Sequence, residues 1–451
     1  MIRRTAVDLA TILGAQLRGD GSALVTGVAI DSRAVRPGEL FVALRGARVD
    51  GHGFVGQAAA SGARAALVAH PVDVAVAQIV VFDTVAALQQ IARAERAGSA
   101  YRLAAVTGSL GKTSTKEILA AFLGSVFRVG FTRGNRNSET GFPVELCNQP
   151  DDIQWMVAEI GMSHAGELDR LGAVAQPDAA LYTVVAPVHL EFFRDIDAIA
   201  EAKAELIHHI LPDGALVLNA ADPRVVSFAA RFGGRVLRYG VPGASDLWIE
   251  AYRDRGLLGS RFELRGTLGA FGVECPLPGR HQADNVLAAA TLALSLGVPA
   301  DRVASAATKL QPAPRRGERH ALPGEITLMD DSYNSSPEAA KALLALLAAS
   351  AGRRVAVLGE MLELGPTSLA FHREVGRRAA ASADVVVAVG GANAAEMARA
   401  ADGTETHYAA TASEALDVVR ALLRPGDVVL IKGSRGVGLD AVVDGLLGLV
   451  R

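Results

Sequence analysis

The chain has 451 residues, half of them hydrophobic and 21% charged, which supplies ample material for packed cores and excludes global disorder. Its 45 basic and 48 acidic residues leave a formal charge of −3, so it lacks the basic excess of a general nucleic-acid binder. At roughly 150 residues per domain, the length suggests about three domains.

The first residues include Arg3 and Arg4, but Asp8 interrupts the apolar run that follows, so an amphipathic helix is expected there rather than a signal peptide. Residues 1–83 carry short strand-like pieces with glycine-rich turns, among them RPGELFVALRGARVDGHGF. A helix is expected from Asp83 onward. Continuous apolar runs then read as buried strands: LAAVT (103–107), QWMVAEI (154–160), ALVLN (215–219), RRVAVLG (353–359), DVVVAVG (384–390) and DVVLIKG (427–433). Helical stretches rich in Ala and Leu lie between many of them, which predicts an α/β architecture with largely parallel sheets covered on both faces. The segment 311–317, carrying Pro312 and Pro314, is the clearest punctuation and the expected hinge. The expected domains are therefore 1–83, 84–312 and 313–451. The longest uncharged run, 285–300, is too short for a membrane span. The two cysteines, Cys147 and Cys275, lie far apart and build no disulfide framework, as expected for a reducing cytoplasm.

The strongest local signal is AAVTGSLGKTSTKE, residues 104–117: a strand, a glycine-containing turn, Gly-Lys-Thr, then a helix. Backbone N–H groups of such a turn, backed by a helix N-terminus, cradle phosphate oxygens. The candidate nucleotide-binding residues are Thr107, Gly108, Ser109, Gly111, Lys112, Thr113 and Ser114. Lys112 would reach the β- and γ-phosphates of ATP or GTP, and the Thr113 hydroxyl would ligand Mg²⁺. The common spacing asks for glycine at Val106; here the loop reads T-G-x-x-G-K-T from Thr107 to Thr113. Mg²⁺ needs further oxygen ligands, and Glu159, at the end of the strand 154–160, is the first candidate. Taken from the residues alone, Glu159 reads equally as a surface or ion-paired carboxylate. His189 reads as a structural histidine, and Lys203 as a solvated helix lysine beside Glu201 and Glu205.

Several segments, taken in order, resemble the Mur ligase family, the ATP-dependent amide-forming enzymes of peptidoglycan precursor synthesis. They are IDSRAVRPGELFVALRGARVDGHGF (30–54), TGSLGKTSTKE (107–117), GNRNSETGFP (134–143), EIGMSHAGEL (159–168), HLEFF (189–193), LNAADP (218–223), GRHQADN (279–285), DDSYNSSP (330–337), GEMLELG (359–365) and KGSRG (432–436). DDSYN and G-x-M-L-E-L-G point to the member that adds D-alanyl-D-alanine to UDP-N-acetylmuramoyl-tripeptide, rather than to siblings adding one amino acid. The resemblance implies a UDP-binding N-terminal domain, a central ATPase and a Rossmann-like C-terminal domain. It implies Thr113, Glu159, His189 and Lys203 around magnesium, with Lys203 carbamylated, and catalytic roles for Lys112, Asn137, His189 and Lys203. His281, Asn285, Arg316 and Asp331 would face the nucleotide. Asp31, Ser32, Arg33, Asp50 and Asn334 would contact the other substrates. The implied cofactors are ATP and Mg²⁺. The implied partners are the two small-molecule substrates, for a protein acting as a monomer without nucleic acid. Departures from the family pattern fall at Leu110, Ser138, Arg315 (where glycine is usual) and Glu360. The weighed alternatives are a sibling ligase, a folylpolyglutamate synthase-like enzyme and a P-loop nucleotide switch.

Overall fold

The continuous apolar runs form the strands of two six-stranded sheets in a computed structural model that describes residues 1–46 and 49–448. The central sheet has the spatial order 235–239, 215–219, 179–182, 102–107, 155–159, 129–131, and every pair in it is parallel. Both faces are covered, which is why its strands read as unbroken hydrophobic runs. One face packs on an apolar cluster running from Ile2, Leu9 and Leu40 through Leu88 to Phe142 and Leu218. The other packs on the helix Arg280–Ser295 and on Phe262 and Leu264. Strand Arg102–Thr107 lies in the middle of this sheet, and the strands that follow it in sequence add first on one side and then on the other. It is the point where strand order reverses, and ligands of open α/β sheets bind beyond the carboxyl ends of the strands there.

Asp83 accepts from Val85 and Ala86 N–H at 2.8 and 3.1 Å and so caps the helix Thr84–Ala97. Near the end of that helix, buried Arg96 donates to the carbonyls of Ala175 and Tyr101 and to Asp178 Oδ2 at 2.8 Å. Asp178 also accepts from Leu103 N–H at 2.8 Å. One guanidinium–carboxylate unit thus fixes the entry to the central strand.

The first residues carry a five-stranded sheet in the order 16–18, 77–80, 65–68, 39–42, 27–29, parallel except for its first pair. The C-terminal sheet has the order 318–322, 326–331, 428–432, 354–359, 385–389, 405–409. Its first pair is an antiparallel hairpin and the rest is parallel. A three-stranded antiparallel unit, Trp248–Asp254, Ser260–Gly266 and Gly269–Cys275, follows the last strand of the central sheet in sequence. In the apolar stretch 181–188, LYTVVAPV, only residues up to Tyr182 extend the sheet; the rest turns inward beneath the phosphate loop. The helix that carries Lys203 is α-helical from Ile196 to Ala204 and tightens to a 3₁₀ turn over Glu205–His209. No helix among the described residues is long and apolar enough to cross a membrane.

In the segment 311–317, Arg315 has φ 56°, a left-handed conformation that costs an L-residue about 1–2 kcal/mol and favours glycine. Its guanidinium donates to both carboxylate oxygens of Asp444 at 2.8 and 2.9 Å and lies 3.5 Å from buried Asp330. Those partners of the C-terminal unit hold an arginine where the resembling family has glycine.

Candidate functional site

Strand Arg102–Thr107 ends in a loop with no room for side chains at its two glycines. A Cβ on Gly108 would lie 2.0 Å from Thr183 Oγ1, and its φ is +138°. A Cβ on Gly111, at φ +77°, would lie 2.6 Å from Asn285 Oδ1. The loop is bolted from behind: Thr183 Oγ1 donates to Leu110 O at 2.6 Å, Ser109 N–H to Val184 O at 2.6 Å and Ser109 Oγ to Ala186 O at 3.1 Å. Gly111 then starts the helix Lys112–Gly124 with no side-chain cap, leaving first-turn N–H groups to a ligand. Lys112 Nζ donates to the carbonyls of Gly108 and Ser109 at 2.9 and 3.1 Å. Burial lowers its pKa, opposed by the Glu159 carboxylate.

Glu159 ends its strand almost fully buried. Thr113 Oγ1 donates to its Oε2 and Asn137 Nδ2 to its Oε1, each at 2.6 Å. The readings of Glu159 as exposed or ion-paired do not hold, for both carboxylate oxygens are met by neutral donors. A hydroxyl and a carboxylate in contact, beside a phosphate cradle, form the hard oxygen set that Mg²⁺ prefers. Lys203 is not a solvated helix lysine either: it is 1% exposed, and its Nζ donates to Gly108 O at 3.0 Å from beneath the loop. Burial, aided by nearby Lys112, pushes its pKa well down. His189 adopts φ 57° and its Nδ1 lies 2.5 Å from Glu363 Oε2 of the C-terminal unit. The His189 hydrogen bond holds the Glu363 carboxyl below its usual range. The backbones interlock at the same place, with Glu191 N–H donating to Glu363 O at 3.3 Å. A Cβ on Gly365 would lie 2.8 Å from Leu190 O.

These walls enclose a cavity of about 630 Å³. Ser109, Gly111, Lys112, Thr113 and Ser114 line it from the loop, Glu159 from the end of the neighbouring strand 155–159, and His189 from the loop that follows strand 179–182. His281 and Asn285 line it from the helix Arg280–Ser295. Burial lowers the His281 pKa against the pull of Asp331. Asn285 Oδ1 accepts from Thr115 Oγ1 at 3.3 Å. The C-terminal unit contributes Arg316, Asp331 and Asn334. Thr107, Gly108, Asn137 and Lys203 do not line it themselves; Asn137 bonds to the lining residue Glu159, and Lys203 to Gly108 O of the loop. Asp31, Ser32, Arg33 and Asp50 do not line this cavity; they belong to the first 83 residues. There the Arg33 guanidinium, 2.8 Å away, pulls Asp31 down to about 2. Ser32 Oγ donates to Gln57 at 2.9 Å. The His52 backbone N–H and ring hold Asp50 at about 2.

Two groups of three closely spaced His, Asp or Glu ligand atoms occur among the described residues, Asp50–His52–His70 and Glu318–His320–Asp330, and neither includes Glu159 or His189. Both ring nitrogens of His52 are occupied, Nδ1 by Asp50 and Nε2 by Ala69 N–H at 2.7 Å. Residues not singled out from sequence also line the cleft. Thr183, Asn219 and Tyr239 do so at the central strands, and Glu363, Lys432 and Arg435 on the opposite wall. Lys432 Nζ donates to Asp331 Oδ1 and Asn334 O, each at 2.9 Å. Its position at the carboxyl end of a buried parallel strand was the available signal.

Three family models match consecutive stretches. They are the Mur ligase family, catalytic domain at 24–107, the Mur ligase middle domain at 106–293 and the Mur ligase, glutamate ligase domain at 315–435. The UDP-N-acetylmuramoyl-tripeptide–D-alanyl-D-alanine ligase of Escherichia coli (strain K12) is 35% identical over 450 residues, 99% of each chain. The chain belongs to the Mur ligase family. The Bacillus subtilis (strain 168) relative of the same name is 32% identical to this family member over 467 residues, again 99% of each chain. Among solved structures, a MurF crystal structure from Acinetobacter baumannii superposes with a TM-score of 0.89 at 30% identity, covering 99% of both chains. The Thermotoga maritima MurF ligase in complex with ADP gives 0.82 at 29% identity, covering 94% of this chain and 98% of that one.

Because a Gly108 side chain would collide with Thr183, Gly108→Ala must push the loop off its backing. Its kcat/KM for ATP is expected to fall at least ~100-fold, the scale of about 3 kcal/mol of misplaced phosphate contacts. Circular dichroism should show an unchanged fold. A variant with normal ATP kinetics would show that the loop does not hold the nucleotide.

Proposed function

We infer that this protein is an ATP-dependent, ADP-forming ligase. It joins D-alanyl-D-alanine to UDP-N-acetylmuramoyl-tripeptide, giving the UDP-N-acetylmuramoyl-pentapeptide precursor of peptidoglycan. The observation that carries the reading is the two-walled cleft. A phosphate cradle with Thr113, Glu159 and Asn137 in contact faces a C-terminal wall bearing Asp331, Tyr333 and Lys432, in a chain aligned end to end with ligases of that name. Residues 1–83 are assigned the UDP-sugar, 84–312 the ATP and 313–451 the dipeptide. Asp31, Ser32, Arg33 and Asp50 are assigned to the UDP-sugar end and Asn334 to the cleft. The reaction is placed in the cytoplasm, carried out by a monomer.

A carboxylate is a poor electrophile at neutral pH. Transfer of the γ-phosphoryl group to the tripeptide's carboxylate makes an acyl phosphate, and the dipeptide amine then attacks the acyl carbon and expels phosphate. The loop N–H groups from Ser109 to Ser114 hold the phosphates, and Lys112 leaves its two loop carbonyls to neutralise charge that develops on the transferred group. Asn137, fixed by Glu159, is positioned beside the γ-phosphate and acyl group. His281 and Asn285 face the base, and Arg316 and Asp331 the phosphates and ribose. Thr113, Glu159, His189 and a carbamylated Lys203 would hold Mg²⁺, which when bound draws charge from the phosphate oxygens. Depression of the Lys203 pKa by burial favours the neutral amine that adds to CO₂; the carbamate is an anion where an ammonium would repel both Lys112 and the metal. The His189–Glu363 contact ties the metal side of the cleft to the C-terminal wall, so closure excludes water from the acyl phosphate.

Phosphate release from ATP should require both UDP-N-acetylmuramoyl-tripeptide and D-alanyl-D-alanine, with one pentapeptide formed per phosphate. Rapid hydrolysis with neither present would instead support a nucleotide switch. Lys203→Ala should lose most activity, on the order of 100-fold for one missing catalytic contact, and short carboxylic acids should partly restore it. Normal turnover in that variant would remove Lys203 from the metal site.

A further inference from the structure

The cations in the cleft are not equally engaged. Lys112 is turned to its loop carbonyls and Lys432 is paired with Asp331. Arg316 and Arg435 pair with no carboxylate among the described residues. Both guanidiniums lie against one ring, that of Tyr333, at 4.2 and 5.6 Å from its centre, and Arg435 Nη1 reaches the Tyr333 hydroxyl at 3.5 Å. Arg316 sits at the linker, whereas Arg435 is exposed at the end of strand Val428–Lys432 and begins the turn Arg435–Val437. An unpaired guanidinium steadied on an aromatic face in a cleft is an anion receptor awaiting its anion.

A second observation points to the same wall. Three residues past Tyr333, Ser336 is 6% exposed, lines the cavity, and its hydroxyl has no hydrogen-bond partner. It precedes the twelve-residue helix Pro337–Ala348 without capping it by its side chain. Pro337 has no N–H, so the first-turn donors belong to Glu338 and Ala339, which also line the cavity. The Glu338 carboxylate is drawn aside by Lys341 at 2.7 Å. Beside these donors the wall is apolar and lined by small and branched side chains, Ala342, Leu343 and Leu362.

We propose that Arg435, together with the Ser336 hydroxyl and the N-terminal N–H groups of helix Pro337–Ala348, forms the subsite for the terminal carboxylate of the incoming dipeptide. The assignment rests on the ligase reading above. In the ligase reading the phosphates are met by the loop 108–114 and by Arg316 at the linker, so Arg435, further along this wall beside Ser336, is left for a different anion. The dipeptide needs its amine free to attack; its carboxylate is the one charged group left as a handle, and its methyl groups suit the apolar surface beside Arg435.

The test compares D-alanyl-D-alanine with D-alanyl-D-alaninamide, which lacks the negative charge, in the wild-type enzyme and in Arg435→Ala. The wild type should prefer the acid by about 10- to 100-fold in kcat/KM, the worth of one hydrogen-bonded charge. Arg435→Ala should lose about that factor on the acid, through KM for the dipeptide, while its kcat/KM for the amide and its KM for ATP stay within about twofold, since they lack the contact. The preference for the acid should therefore collapse. If the variant keeps the wild-type preference and dipeptide KM, the subsite is wrong and the ligase reading stands. If the wild type forms no pentapeptide from D-alanyl-D-alanine at all, the ligase reading fails and the subsite falls with it.

Discussion

The contact between Gly108 and Thr183 is the constraint on which the rest of the site depends. A phosphate cradle needs backbone N–H groups that point outward and stay unsatisfied, and a loop in that state collapses unless something fixes it from behind. Here the backing comes from the adjacent parallel strand: its last residue, Tyr182, leads directly into Thr183, whose hydroxyl donates to Leu110 O. Any side chain at 108 would break the fit. Lys203 completes the support from below with its bond to Gly108 O. The polar groups that look outward are thus held by polar groups that look inward, and the sheet order that puts 179–182 beside 102–107 makes this possible.

The opposite wall is attached more lightly. His189 and Glu363 meet at 2.5 Å, but the glutamate side chain is 46% exposed. A pair that open to solvent contributes about 0–1 kcal/mol. With one backbone hydrogen bond beside it, it can register the two units without locking them. A cleft that must admit three ligands and release three products needs a weak latch of this kind. The 311–317 segment shows the opposite balance: Arg315 holds a costly left-handed conformation and is kept there by Asp444 and Asp330.

The continuous apolar runs at 103–107, 154–160, 215–219, 353–359, 384–390 and 427–433 were legible as parallel strands because burial on both faces erases alternation. The strand Ser260–Gly266 escaped that criterion: Phe262 and Leu264 point into the core while Arg261, Glu263 and Arg265 point out, the alternating mark of a sheet with one covered face. In the site, the phosphate loop was legible because its chemistry is contiguous. Glu363 was not, because 174 residues separate it from His189. Lys203 was misleading on composition, since its acidic neighbours suggest a solvated face. The tertiary packing of helix Ile196–Ala204 under the loop overrides that pattern. Arg435 lies in the segment KGSRG, but nothing local assigns it a ligand; its meaning comes from Tyr333 and Ser336, which only the folded C-terminal unit brings near.

The central claim is that the cleft activates a carboxylate as an acyl phosphate held at the loop 108–114. The most direct measurement uses UDP-N-acetylmuramoyl-tripeptide labelled with ¹⁸O in the carboxylate that reacts. If the account is right, each phosphate released carries one labelled oxygen taken from that carboxylate. Product formed together with unlabelled phosphate would contradict it.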